Sequence, residues 1–192
     1  MGRLTAFVHV TVDGFFAGPH GEIDWFKSIR KSADYDAYTH EQAGTGDTLV
    51  MGRTTYQMMK SYWPMPEAIQ QDPEMAKVMD HSPKLVFSKT LKDAPDEPNW
   101  KHVTILPEID PTDVEKRKAQ AKGPLTILGS GTIVRQLSNL RLIDEYALVV
   151  VPVVLGAGKL LFDGVRQTEL EPRESRYFQN GLTILRYGPP PD

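Results

Sequence analysis

The chain has 192 residues, 40% of them hydrophobic, which is enough apolar material for one α/β domain to fold unaided. Its net charge of −3, with both signs interspersed, leaves no basic footprint for nucleic acid. Cysteine is absent, which excludes disulfides, thiolate catalysis and cysteine-bound metals.

Residues 4–12 are rich in β-branched and aromatic side chains and read as a strand, with Asp13-Gly14 as a turn before Phe15-Phe16-Ala17-Gly18. The N-terminal residues are strand-like and lack the apolar core of a signal peptide, so a cytoplasmic protein is expected. Pro19-His20-Gly21 opens a loop that reaches Trp25, and residues 30–43 read as a polar, weakly amphipathic helix. A strand over 49–51 runs into a helix over 53–60. Residues 61–73 hold three prolines and read as loop, and a short helix covers about 73–80. Strands follow at 84–87 and 102–106, separated by an exposed loop at 93–99. Residues 111–122 form a charged helix with Pro111 in its first turn. A strand at 125–128, a helix at 131–139 and a long strand at 144–151 come next. The apolar run 147–155 is interrupted by Pro152 and falls well short of the roughly 18 residues of a membrane span. Residues 151–162, with Gly156 and Gly158, read as a structured loop. The tail, 168–187, reads as two strands joined at Asn180-Gly181, the strongest short-range hairpin signal. Strands alternating with helices and ending in an antiparallel hairpin imply one domain over 1–192: a mixed sheet with helices on both faces.

Three turns carry the candidate chemistry. Leu128 ends an apolar strand and Gly129-Ser130-Gly131-Thr132 opens a helix, which places backbone N–H groups at a helix N-terminus, an anion site. The pattern recurs where Met51 leads into Gly52-Arg53-Thr54-Thr55. Two such turns can hold the two ends of a pyrophosphate, and Ser88-Lys89-Thr90 past the strand 84–87 can bind a phosphate monoester such as one on a ribose. An ordinary βα turn with a capping hydroxyl would read the same way at each position. The glycine spacing is not that of the dinucleotide fingerprint, because position 134 is Val, and Ser130 lacks the spacing of a nucleophile elbow. Together the three turns gain weight, since each lies at the C-terminal end of an expected strand, the edge where open α/β sheets bind ligands. No acid occurs in the Arg53 or Lys89 turns, which favours a 2′-phosphorylated ribose over a free one.

Glu22 and Asp24 lie beside Trp25 and Phe26, where a carboxyl against aromatic walls can act as a proton donor; a helix cap or a surface acid would look the same. The five histidines show no metal-ligand spacing, so no metal is expected, and His9 reads as structural. The apolar stretch through Leu148, Val150 and residues 152–155 leads to the expectation of a C₂ homodimer, the alternative being strands central in the sheet.

Seven segments occur in an order that resembles dihydrofolate reductase-like proteins related to the reductase domain of the riboflavin pathway. They are Thr11-Val12-Asp13-Gly14-Phe15-Phe16-Ala17, Ile23-Asp24-Trp25-Phe26, Val50-Met51-Gly52-Arg53-Thr54-Thr55-Tyr56, Val86-Phe87-Ser88-Lys89-Thr90, Leu128-Gly129-Ser130-Gly131-Thr132-Ile133-Val134, Leu142-Ile143-Asp144-Glu145-Tyr146 and the string from Pro152 through the two glycines to Phe162. The Gly-Ser-Gly turn resembles the stand-alone branch more than the riboflavin-pathway enzyme, and 192 residues leave no room for a deaminase domain. The resemblance implies a dihydrofolate reductase-like three-layer fold with NADPH in an extended cleft. It implies Gly52, Arg53 and Thr54 on cofactor phosphates, Ser88 and Lys89 near the adenosine ribose, and Gly129, Ser130, Gly131 and Thr132 around the pyrophosphate. It also suggests dimers. The expected activity is NADPH-dependent reduction of a small heterocycle or pyrimidine-type substrate, with Asp24, Glu22 or water supplying the proton. Folate reduction proper and non-catalytic nucleotide binding are the two rival readings.

Overall fold

Leu4, Ala6, Val8 and Val10 alternate with Thr5, Phe7, His9 and Thr11, and the strand they form is a central element of an eight-stranded sheet. The computed structural model describes residues 2–43 and 47–190. Ten strands are β1 (Leu4–Thr11), β2 (Phe15–Ala17), β3 (Thr48–Gly52), β4 (Lys84–Phe87), β5 (Val103–Leu106), β6 (Leu125–Leu128), β7 (Glu145–Val151), β8 (Lys159–Leu160), β9 (Glu171–Tyr177) and β10 (Thr183–Gly188) among the described residues. The helices are α1 (Ala33–Ala43), α2 (Arg53–Tyr62), α3 (Pro66–Gln71), α4 (Pro73–His81), α5 (Pro111–Gln120) and α6 (Gly131–Asn139), with a short 3₁₀ turn at Asp24–Ser28.

The sheet order is β5-β4-β3-β6-β1-β7-β10-β9. The pairings from β5 to β7 are parallel, and β10 pairs antiparallel with both β7 and β9. The sheet is therefore mixed, with helices on both faces. Asn180-Gly181 makes the terminal turn: Gly181 has φ 89° and donates to the Phe178 carbonyl. β7 has a neighbour on each side, so Leu148 and Val150 are those of a central strand and pack against the core.

The two faces differ in kind. Leu4, Ala6, Val8 and Val10 join Val50, Ile127 and Tyr146 under Val114 of α5 and Ile133, Val134 and Leu137 of α6, forming a continuous aliphatic core. The opposite face is covered in two separate places. Over β7 and β10, Tyr35 and Tyr38 of α1 pack with Val149, Phe178 and Ile184. Over β3 and β4, Tyr56 of α2 and Met79 of α4 pack with Leu49, Met51, Val86 and Trp100. Between these two covers, the Thr5, Phe7 and His9 side of β1 and the Thr126 and Leu128 side of β6 line a cleft.

Two segments differ from the sequence expectation. Residues 61–73 contain α3, because Pro66 and Pro73 sit at first helical positions, where a missing N–H is harmless, and begin helices instead of breaking them. The 151–162 loop contains β8, which pairs with β2 in a separate two-stranded ribbon. Asp13 ties that loop down, accepting from Leu155 N at 3.0 Å and Gly156 N at 2.7 Å, with the Thr11 hydroxyl donating to it at 2.5 Å.

Candidate active site

Two helices start at one point on the C-terminal sheet edge and leave in opposite directions. The crossover from β3 carries α2 outward to β4 on one face, and the crossover from β6 carries α6 across β1 to β7 on the other. Adjacent parallel strands whose connections diverge in this way leave a crevice beyond their ends, the usual ligand site of open α/β sheets. Gly52 ends β3 and Gly129 follows β6, so both glycine turns meet at that crevice, and Ser88 follows β4 one strand further along.

The helix starts are electrostatically bare. Asp72 caps α4 by accepting from Met75 N, and Asp110 caps α5 by accepting from Thr112 N. Neither Gly52 before α2 nor Ser130 before α6 caps its helix through a side chain, and neither first turn holds an acid. Two positive helix ends therefore face the crevice without a protein carboxylate to neutralise them. Gly129 and Ser130 are both left-handed, with φ of 54° and 50°. The second is strained for a serine, by roughly 1–3 kcal/mol. Its hydroxyl offsets this by accepting from Gly52 N at 3.0 Å and donating to Thr55 Oγ1 at 2.8 Å, which locks the two turns together. Gly131 has no room for a side chain: a Cβ there would lie 2.3 Å from Cε1 of Phe16.

At the outer end of the crevice, Arg53 Nη1 donates to Thr90 Oγ1 at 2.7 Å, which brings an exposed guanidinium beside the Ser88-Lys89-Thr90 turn. Ser88 Oγ accepts from Leu91 N at 2.9 Å and shapes that turn. The structure thus brings Gly52, Arg53, Thr54, Ser88, Lys89 and the 129–132 turn together on the lining of one cleft of about 2010 Å³. That exceeds the roughly 300–1,000 Å³ of a site for one drug-sized ligand.

Glu22 and Asp24 stand apart from this lining. Both are exposed; Glu22 accepts from His20 N at 2.8 Å and Asp24 pairs with Lys27 at 2.8 Å. The aromatic surroundings expected for them belong to His9. Its ring centroid is 5.1 Å from that of Phe26 and 5.6 Å from that of Phe7, and its Nε2 lies 2.7 Å from the Tyr35 hydroxyl. His9 and Tyr35 both line the cleft, and the sequence reading missed this pair. The available signal was the alternation along β1, where one set of positions is wholly aliphatic and the other mixes Thr, Phe and His. Among the described residues, no cluster of three or more His, Asp or Glu side chains is placed to hold a metal ion.

Burial lowers the His9 pKa to about 4, so the ring is neutral at pH 7. The unfolded chain, with a histidine near 6.5, takes up this proton first as pH falls. Stability associated with His9 is therefore complete above about pH 6.5 and declines towards pH 4, by up to about 3 kcal/mol. Urea unfolding of wild type and His9→Gln at pH 7 and pH 4.5 is expected to show a smaller acid loss in the variant. An equal loss in both would remove His9 as its source.

Strand order, crevice and cleft together define a dihydrofolate reductase-like α/β protein. A dihydrofolate reductase from Enterococcus faecalis, in complex with NADP(H), superposes with a TM-score of 0.63 at 14% identity, over 97% of this chain and 96% of that one. A putative riboflavin biosynthesis protein from Shewanella sp. PV-4 superposes with a TM-score of 0.77 at 22% identity, over 98% of this chain and 99% of that one. The uncharacterized protein YyaP of Bacillus subtilis strain 168 is 30% identical over 186 residues, spanning 96% of this chain and 94% of its own. The model of the RibD C-terminal domain family matches residues 3–184, and the chain belongs to that family. No helix among the described residues is long and apolar enough to cross a membrane.

Proposed function

We propose that this protein is an NADPH-dependent reductase of a small heterocyclic, pyrimidine-type substrate. The observation that carries the reading is the crevice between β3 and β6, where two helix N-termini without side-chain caps converge and open into a cleft roomy enough for two ligands. The E. faecalis reductase, of the same fold, is in complex with NADP(H).

The residues present fit such a cofactor. The N–H groups of the Gly52 and Gly129 turns would hold its pyrophosphate, with Thr54 and Thr132 adding hydroxyl donors. Gly131 lets the Phe16 ring pack directly against the start of α6. Arg53, Ser88 and Lys89 would take the ribose and its 2′-phosphate. When bound, the dihydronicotinamide supplies a hydride to an electrophilic carbon of the substrate. The protein's part is to hold the acceptor against it on the floor made by Phe7 and Leu128, and to keep bulk water away with the walls of α1 and α2.

Titrating the protein with NADPH and with NADH, by fluorescence, tests this. A charge-assisted contact to phosphate contributes about 1.5–3 kcal/mol, so NADPH is expected to bind at least tenfold tighter than NADH. Arg53→Ala and Lys89→Ala should each narrow that gap. Equal wild-type affinities would overturn the assignment of these residues, and tight binding without turnover of any pyrimidine-type acceptor would favour a nucleotide-binding protein without catalysis.

A further inference from the structure

We infer that His9 and Tyr35 form the anchor that fixes the hydride acceptor in the cleft, and that they select a planar ring whose bound edge is uncharged and presents an N–H. The inference rests on the reductase reading and goes beyond it by naming the residues that set which acceptor fits.

Phe7 pairs with Leu128 in the register of β1 and β6, and Gly129 N donates to the Phe7 carbonyl. His9, two residues further along the same face of β1, lies just past the last β1–β6 pair, at the end of the sheet where the Gly129–Ser130 turn leaves β6. An acceptor held by His9 and Tyr35 is thus next to the turn that would hold the cofactor.

Phe7, Ile23, Phe26 and Leu128 make this section of the cleft apolar, and the His9–Tyr35 pair is polar within it. The pair bridges β1 and α1, the floor and one wall. With the phenol hydroxyl donating to the imidazole nitrogen, its oxygen accepts one further hydrogen bond, from an N–H of the acceptor. Burial keeps both groups neutral: it lowers the histidine pKa and raises that of Tyr35. A neutral pair among aromatic rings leaves a charged ring edge uncompensated, and so discriminates against it. Tyr35 is the group that meets the acceptor; His9 acts through it as a positioning residue.

Equilibrium binding to the NADP⁺-loaded protein tests this with two fluorescent probes. Lumazine is a neutral bicyclic dione with adjacent N–H and C=O groups; 1,3-dimethyllumazine has the same ring system without those N–H groups. Wild type is expected to bind lumazine saturably and more tightly than the dimethyl form. Tyr35→Phe should weaken lumazine binding by roughly tenfold and leave the dimethyl probe unchanged. His9→Leu should behave like Tyr35→Phe, whereas His9→Gln, which keeps a polar atom opposite the tyrosine, should recover part of the loss. NADP⁺ affinity and thermal midpoints measured on the same samples report cofactor binding and folding. No lumazine binding by the wild type, or equal binding by wild type and folded Tyr35→Phe, overturns the anchor while cofactor binding persists. Loss of cofactor binding in the wild type overturns the reductase reading itself.

Discussion

Glu145→Ala is expected to destabilise the protein by about 3–5 kcal/mol, the range for breaking a buried ion pair from one side. The Glu145 side chain is 4% exposed and faces Arg3 at 3.0 Å and Arg186, whose Nε lies 3.0 Å from Oε1. Arg186 also donates from Nη1 to the Tyr38 hydroxyl at 2.6 Å and to Gln42 at 3.0 Å. One carboxylate thus joins the start of β7 to β10, to the residues before β1 and, through the arginine, to α1. Truncating it leaves a largely buried guanidinium with only the more distant Glu174 carboxylate, 3.9 Å away, as counter-charge, which is why the loss exceeds the worth of an exposed pair. Chemical denaturation gives the free energy, and the melting temperature should fall by on the order of 10 °C. A loss below about 1 kcal/mol would show that the arginines find other partners.

Phe178→Ala is expected to cost a similar amount, about 3–5 kcal/mol, for a different reason. Phe178 is completely buried, with ring centroids 5.0 Å from Tyr35 and 5.4 Å from Tyr38, and the Arg176 guanidinium lies 5.1 Å from its ring. It fills the space between the terminal hairpin and α1. The variant leaves a void under the helix that carries one wall of the cleft. Phe178→Leu retains most of the volume and should cost less than about 1.5 kcal/mol. Similar losses in the two variants, measured by urea unfolding, would contradict a cavity as the cause.

Both variants act on α1, the element whose role was least visible in the sequence. Its apolar side chains are few, so periodicity alone predicts a polar, weakly amphipathic helix over 30–43. What holds it is long-range: Tyr38 to Arg186, Tyr35 to His9, and both tyrosines to Phe178. Such contacts join residues 26 to 148 positions apart. The parallel strands, by contrast, were legible because Val50, Val86 and Ile127 sit in short runs of β-formers ended by glycine or serine. Those ends place the three candidate turns on one edge, since parallel strands finish on the same side. The prolines at 66 and 73 misled because proline stops a helix only in its interior. Lys84 reads as the polar start of a strand, yet it is completely buried. Its ammonium donates to the carbonyls of Asp80, Ser82 and Lys101, and burial lowers its pKa to about 8. Glu22 and Asp24 drew attention by proximity to Trp25 and Phe26 in sequence, but Trp25 turns into the α1 core and Phe26 towards His9. Neighbours along a chain need not share a face, and the aromatic surroundings pass to a residue on another strand.

The proposed NADPH site puts the cofactor pyrophosphate between the starts of α2 and α6. Diffraction from crystals of the protein grown with NADPH tests it most directly. The expected density places the pyrophosphate on the N–H groups of the Gly52 and Gly129 turns, the 2′-phosphate against Arg53 and Lys89, and the nicotinamide beside Phe7 and His9. Cofactor density elsewhere on the molecule, or a crevice without density at saturating NADPH, would contradict the account.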